Sequence, residues 1–117
     1  MYTGADDMRG GADHVDLTVR LSNNTVQSYT NISQNGLFLP MYLETVQVIL
    51  SQPVPQQMIK TFEISTNATG GLNGDNWDLQ SVQVYAVGGG FNNILLSPRA
   101  GPYRFTGARI PFEFAVK

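Results

Sequence analysis

The sequence contains no cysteine, and this absence removes several kinds of site at once. Without a thiol, the chain forms no disulfide, binds no metal through thiolate and has no cysteine nucleophile. Only one histidine is present, so a zinc site made of several imidazoles is excluded as well. That residue, His14, opens an alternating segment and has no G-x-S-x-G motif nearby, so we interpret it as an exposed strand residue and not a catalytic base.

Charged residues are scarce, at 14% of the chain, and the formal net charge is −2. Arg99, Arg104 and Arg109 lie close together with aromatic residues between them, which is a feature of some nucleic-acid-binding proteins. A chain with negative net charge lacks the positively charged surface that binds phosphate backbones, so we expect no nucleic-acid partner. Uncharged polar residues must therefore cover the surface, and this favours a secreted or extracellular domain.

Long apolar runs are also missing. None approaches the roughly 20 residues of a membrane-spanning helix, and the first residues lack the basic and apolar regions of a signal peptide. The chain has 117 residues, a length that fits one domain with a real core. We therefore expect a single domain over residues 1–117, excised from a larger parent polypeptide.

Polar and apolar residues alternate, which indicates strands with one buried face and one solvated face. The alternating segments are residues 14–21, 45–50, 61–65, 81–86 and 112–116. Glycine and asparagine turns separate them at short intervals. The sequence therefore predicts an all-β fold, an antiparallel β-sandwich of about seven to eight strands. The one helical candidate is a single turn opened by Pro55.

Two acidic, glycine-rich loops, over residues 4–13 and 74–79, each run directly into a predicted strand. If the loops share one edge of the sandwich, their carboxylate and amide oxygens suit Ca²⁺. We therefore predict a calcium site whose pool of ligands is Asp6, Asp7, Asp13, Asp75, Asn76 and Asp78.

The alternative is that these loops bind no metal. Asp and Asn are common in turns because their side chains accept hydrogen bonds from nearby main-chain N–H groups. Arg9 or Arg104 could neutralise an aspartate in place of a cation. The spacing also differs from that of the helix-flanked EF-hand loop.

Aromatic residues offer two kinds of role. Trp77, beside a strand start, is interpreted first as a core anchor, and the alternative is a ring that faces a ligand. Residues 37–43 (LFLPMYL) form an apolar run interrupted by a proline. The first interpretation is a buried strand end between the sheets. The alternative is an exposed loop that contacts a membrane or partner through Phe38 and Tyr42.

The sequence shows no nucleophile next to a base, so we expect a non-catalytic binding module and not an enzyme. Two alternatives remain open. One is a small hydrolase that uses Asp75 and Asp78 as paired carboxylates. The other is a carbohydrate-binding module, in which Trp77 or a tyrosine stacks on a sugar ring.

Two stretches carry a resemblance to a known family. Thr3-Gly4, the glycine turn of residues 9–13 (RGGAD) and the strand that follows resemble the opening of PLAT (lipoxygenase-homology) domains. Residues 77–84 (WDLQSVQV) are similar to a later PLAT segment. The resemblance implies an eight-stranded β-sandwich, often calcium-binding at its loop tips, that docks an enzyme or toxin onto membranes, lipids or protein partners.

Within this resemblance, Asp13 occupies the acidic position after the glycine turn. One departure is clear at the start, where PLAT domains carry a full strand before the Thr-Gly pair. Here only Met1 and Tyr2 precede it. We therefore expect the first strand to be truncated, missing or supplied by other residues.

Overall fold

The computed structural model describes residues 1–5, 13–34, 39–67, 76–87, 94–108 and 110–116. These residues form two antiparallel sheets that enclose one core, so the predicted all-β sandwich is confirmed. The strands are β1 (Tyr2–Thr3), β2 (Val15–Leu21), β3 (Val26–Tyr29), β4 (Ile59–Thr66), β5 (Trp77–Ala86), β6 (Ile94–Ala100), β7 (Tyr103–Phe105) and β8 (Phe112–Ala115).

In the first sheet, β5 is the central strand. β1 pairs with one side of it, and β6 and β7 pair with the other. β7 continues the line of β6 along the same edge, since Val82 faces Ala100 and Leu79 faces Tyr103. Gly101 joins the two strands with φ of 106°, a backbone conformation that glycine adopts without strain. The second sheet has the order β3-β2-β4-β8.

The core contains the residues that alternation placed on the inner faces. Buried residues in the predicted segments are Val15, Val19, Leu21, Phe62, Ile64, Val82 and Phe114. The core anchor predicted at Trp77 is also confirmed, because its side chain is fully buried. The Trp77 ring stacks on Phe105 with centroids 5.3 Å apart, and its indole N–H donates to Thr3 Oγ1 at 3.0 Å.

Residues 45–50 differ from the prediction. The exposure of their side chains alternates as expected, and Val46 and Leu50 pack against the core while Ile49 faces solvent. The structure nevertheless assigns no strand here, because the segment runs from the edge of one sheet to the edge of the other without joining either ladder. The pattern predicted burial correctly and strand pairing wrongly.

The helical turn predicted after Pro55 is confirmed as a 3₁₀ turn over Gln56–Met58. Proline suits this position because its fixed φ matches the start of a helical turn. Among the residues that the structure describes, no helix is long and apolar enough to cross a membrane.

Replacing Phe105 with alanine should remove the ring that stacks on Trp77 and leave a cavity in the core. We expect the free energy of unfolding to fall by about 3–5 kcal/mol, as for other buried phenylalanines. Urea denaturation followed by tryptophan fluorescence measures this change. Ile110→Ala is the control, since Ile110 is exposed, and should cost less than about 0.5 kcal/mol. Equal effects of the two substitutions would contradict the assignment of this core.

Candidate functional site

Four connections of the described topology cross between the sheets at the same end of the sandwich. They join β1 to β2, β3 to residues 41–44, β4 to β5 and β7 to β8. The pairings locate them there, because Thr3 lies beside Leu79 near the start of β5, and Val15 lies beside Thr66 at the end of β4. We call this the loop end and define it by the described residues that flank the acidic loops, 4–5, 13–14, 67 and 76, together with the apolar segment 39–43.

The two acidic connections are hydrogen-bonded to each other where they leave and rejoin the sheets. The Gly4 N–H donates to the main-chain oxygen of Asp78 at 2.7 Å. At the other side, the His14 N–H donates to Asn67 Oδ1, also at 2.7 Å. Both connections therefore start and finish beside one another. The predicted ligands Asp6, Asp7 and Asp75 lie outside the described residues.

Of the predicted metal ligands, Asp78 has a clear partner. It lies directly opposite Arg104, and its Oδ1 accepts a hydrogen bond from Arg104 Nη1 at 2.6 Å. A charge-assisted contact of this kind is the alternative that the sequence offered in place of a metal. Arginine neutralises the carboxylate on the outer face of the first sheet.

Asp13 and Asn76 are half-buried; Asn76 lies directly before β5, and Asp13 lies two residues before β2. Within the described ranges, no group of three or more histidine, aspartate or glutamate side chains could hold a metal ion. The other three carboxylates of the predicted ligand pool, at positions 6, 7 and 75, lie outside the described residues, so calcium binding stays a prediction.

His14 is half-buried and not exposed as predicted, and its Nε2 lies 3.3 Å from Asp16 Oδ1. The same carboxylate oxygen accepts the main-chain N–H of Asn31 at 2.7 Å. Asp16 thus secures the chain that leaves β3, which is a structural task.

The apolar run over residues 39–43 contradicts its first interpretation. Instead of being buried, Met41, Tyr42 and Leu43 are 64%, 58% and 67% exposed. They lie along the outer side of β1, where the Thr3 N–H donates to the Tyr42 oxygen at 3.0 Å and the Met41 N–H donates to the Gly4 oxygen at 3.1 Å.

The reason is positional: a segment paired to the outside of an edge strand lies beyond the core that the two sheets enclose. Since Met41 is hydrogen-bonded to Gly4, this apolar segment also adjoins the first acidic loop. Phe38, the other apolar contact that we predicted, lies outside the described residues.

Trp77 cannot stack on a ligand in this structure, since its ring is fully buried. An exposed aromatic platform exists elsewhere, at the end opposite the loop end. Tyr85 of β5 is 48% exposed and lies directly across from Leu95 of β6, which is 45% exposed. Alternation predicted that Tyr85 faces outward, whereas nothing in the sequence indicated the pairing with Leu95.

Comparison with protein-family models, with curated proteins and with solved structures found no match for this chain. The resemblance to PLAT domains therefore stays a prediction.

Arg104→Ala should have a small effect on stability, because both partners of the Asp78 ion pair are partly exposed. We expect the free energy of unfolding to fall by less than about 1 kcal/mol. The effect should shrink at high salt, which screens exposed charges. A double-mutant cycle with Asp78→Asn, measured by urea denaturation at low and high salt, tests this. A coupling energy of several kcal/mol would show that the pair is part of a desolvated network.

Proposed function

We propose that this domain is a non-catalytic binding module that docks its parent protein onto a lipid membrane through the loop end, with calcium held between the acidic loops. The observation that carries the proposal is the exposed apolar segment 39–43, which adjoins the first acidic loop at Gly4. This arrangement suits an anionic lipid membrane. The apolar segment can enter the acyl region, and a cation beside it can bind the anionic headgroups.

The apolar segment supports contact with a membrane in two ways. Leucine and methionine gain about 1.5–3 kcal/mol each when fully removed from water, so even partial insertion favours binding. Tyr42 supplies a ring with a polar hydroxyl, which suits the boundary between headgroups and acyl chains. Exposed apolar groups in a contiguous patch mark interaction surfaces in soluble proteins.

Electrostatics supports the dependence on calcium. The net charge of −2 and the aspartates of the two loops would be repelled by the negative surface of an anionic bilayer. A bound Ca²⁺ neutralises these carboxylates and leaves coordination positions for further oxygen ligands, such as lipid phosphates. Calcium and membrane binding should therefore increase together.

Calcium should stabilise the folded domain, because a ligand that binds only the native state shifts the folding equilibrium. At a hundredfold excess over its dissociation constant, the gain is about 2.7 kcal/mol. We expect the melting temperature, followed by differential scanning fluorimetry, to rise in millimolar Ca²⁺ and to fall in chelator. Asp13→Asn and Asp75→Asn should each reduce that rise.

Two further variants make the calcium test specific. Glu113→Gln removes one negative charge on the second sheet and should leave the calcium response unchanged. Arg104→Gln removes the partner of Asp78 and should strengthen the response if Asp78 joins the site. Identical melting curves of the unsubstituted chain in calcium and in chelator would refute the metal site.

The double variant Met41→Ser/Tyr42→Ser should bind anionic vesicles at least tenfold more weakly in calcium, because it makes two of the segment's three most exposed side chains polar and keeps the acidic loops. Sedimentation with phosphatidylcholine–phosphatidylserine vesicles measures the bound fraction. Val87→Ser/Ile94→Ser is the matched control, since these exposed apolar residues lie at the opposite end. Equal losses in both double variants would show that the loop end is not the docking surface.

A second candidate is carbohydrate binding, favoured by the platform of Tyr85 and Leu95 with the exposed Gln83 on the same strand. An aromatic ring on a sheet face suits stacking on a sugar, and an amide supplies hydrogen bonds to hydroxyls. Glycan-array binding that is lost in Tyr85→Ala, without vesicle binding, would favour this function over lipid docking.

The hydrolase alternative would need Asp75 and Asp78 as an acid and base pair. Asp78 is already engaged in an ion pair, since its Oδ1 accepts a hydrogen bond from Arg104 Nη1 at 2.6 Å. Turnover in a hydrolase screen that disappears in Asp75→Ala would restore this candidate. A docking surface for a protein, the remaining alternative, would show binding to a partner without binding to vesicles.

A further inference from the structure

Residues 45–50 (TVQVIL) alternate between exposed and half-buried side chains, as extended chain does, and their main-chain groups have no partner in the part of the chain that the structure describes. Among the described residues, no hydrogen bond involves the N–H or C=O groups of this segment. Extended chain in folded proteins normally pairs these groups with another strand. The composition is also that of a strand, because four of the six residues are β-branched: Thr45, Val46, Val48 and Ile49.

The segment is held in place at both ends. On one side, Glu44 and Met1 exchange two main-chain hydrogen bonds of 2.8 and 2.9 Å. On the other, the Ser51 N–H donates to the Tyr29 hydroxyl at 2.8 Å, and Gln27 Nε2 donates to the oxygen of the next residue, Gln52. A tethered segment loses less conformational entropy when a partner strand pairs with it.

The direction of the unpaired main-chain N–H and C=O groups follows from the way residues 42–44 pair with β1. Leu43 lies opposite Tyr2, and the hydrogen bonds to β1 are made by its neighbours Tyr42 and Glu44. The N–H and C=O of Leu43 therefore point away from β1. In extended chain the same direction recurs at every second residue, so Thr45, Gln47 and Ile49 present their main-chain groups outward.

Nothing in the segment protects this edge from another strand. Natural proteins usually block such edges with lysine, proline or a bulge. Along the chain, the charged residues on either side of the segment are Glu44 and Lys60, and the nearest proline is Pro53. Ile49, 82% exposed, adds an apolar contact on the open side.

We propose that two copies of this chain associate by antiparallel pairing of residues 45–49, with the two-fold axis at Gln47. A symmetric interface uses the same surface on both subunits, so one edge satisfies the other. In this register Gln47 faces Gln47, and Thr45 faces Ile49 of the second copy, which is a favourable pair of β-branched residues. Glu44 falls opposite Leu50, so no like charges meet.

The contact is short, and a small interface gives a weak, concentration-dependent dimer. Sedimentation velocity from micromolar to millimolar protein should therefore show a monomer that converts to a dimer. Hydrogen exchange should show protection of the amides of Thr45, Gln47 and Ile49 that increases with protein concentration.

Gln47→Lys provides the decisive variant, because it places two positive charges opposite each other on the axis. We expect the dissociation constant of its dimer to be at least tenfold higher than that of the unsubstituted chain. Gln83→Lys makes the same change at an exposed glutamine of β5 and should associate as the parent does. A mixture of Gln47→Lys with Gln47→Glu should recover association through opposite charges.

The proposal would be overturned if the unsubstituted chain stayed monomeric at millimolar concentration. It would also be overturned by a dimer that is insensitive to Gln47→Lys, or by a monomer that captures an unrelated extended peptide at this edge in place of its copy. The proposal does not rest on lipid or calcium binding. The vesicle assay, run at a protein concentration where the chain is monomeric, tests that function separately.

Discussion

The burial of Trp77 is the constraint on which the rest of the structure depends. Its ring stacks on Phe105 of β7, and its N–H donates to Thr3 of β1, so one side chain joins the three strands that meet at the loop end. A buried indole N–H without an acceptor would cost about 1–3 kcal/mol, so the Thr3 hydroxyl is needed there. This contact positions β1, although β1 is only two residues long.

Because β1 is positioned in this way, the chain on both sides of it is positioned too. The first acidic loop leaves from Gly4, hydrogen-bonded to Asp78, and residues 41–44 pair with the outer side of β1. The apolar segment and the acidic connections therefore meet at one end of the sandwich, although they are far apart in sequence. β1 thus positions on its outer side the exposed apolar segment from which lipid docking is proposed.

Most of the sandwich could be predicted from local patterns, and the parts that could not have a common cause. Alternation identified the inner faces of β2, β4, β5 and β8, because a strand with one buried face has an apolar side chain at every second residue. It missed β1, β3, β6 and β7, which are short or interrupted. It also predicted a strand at residues 45–50, where the alternation of burial is correct but no neighbouring strand pairs with them.

The candidate site was predictable in its composition and not in its arrangement. The acidic loops were visible as residues, but the pairing of Asp78 with Arg104 depends on the register between β5 and β7. The first interpretation of the apolar run, a buried strand end, was wrong, because an apolar run looks the same in sequence whether it lies inside a sheet or outside its last strand.

By itself, the sequence determined the fold class, the inner faces of the longer strands and the position of the tryptophan anchor. These depend on local periodicity and on the cost of leaving large apolar side chains in water. The tertiary structure alone decided which loops share an end, which aspartate pairs with an arginine and which apolar residues remain exposed. Those outcomes depend on strand order and register, which arise from contacts between residues that are distant along the chain.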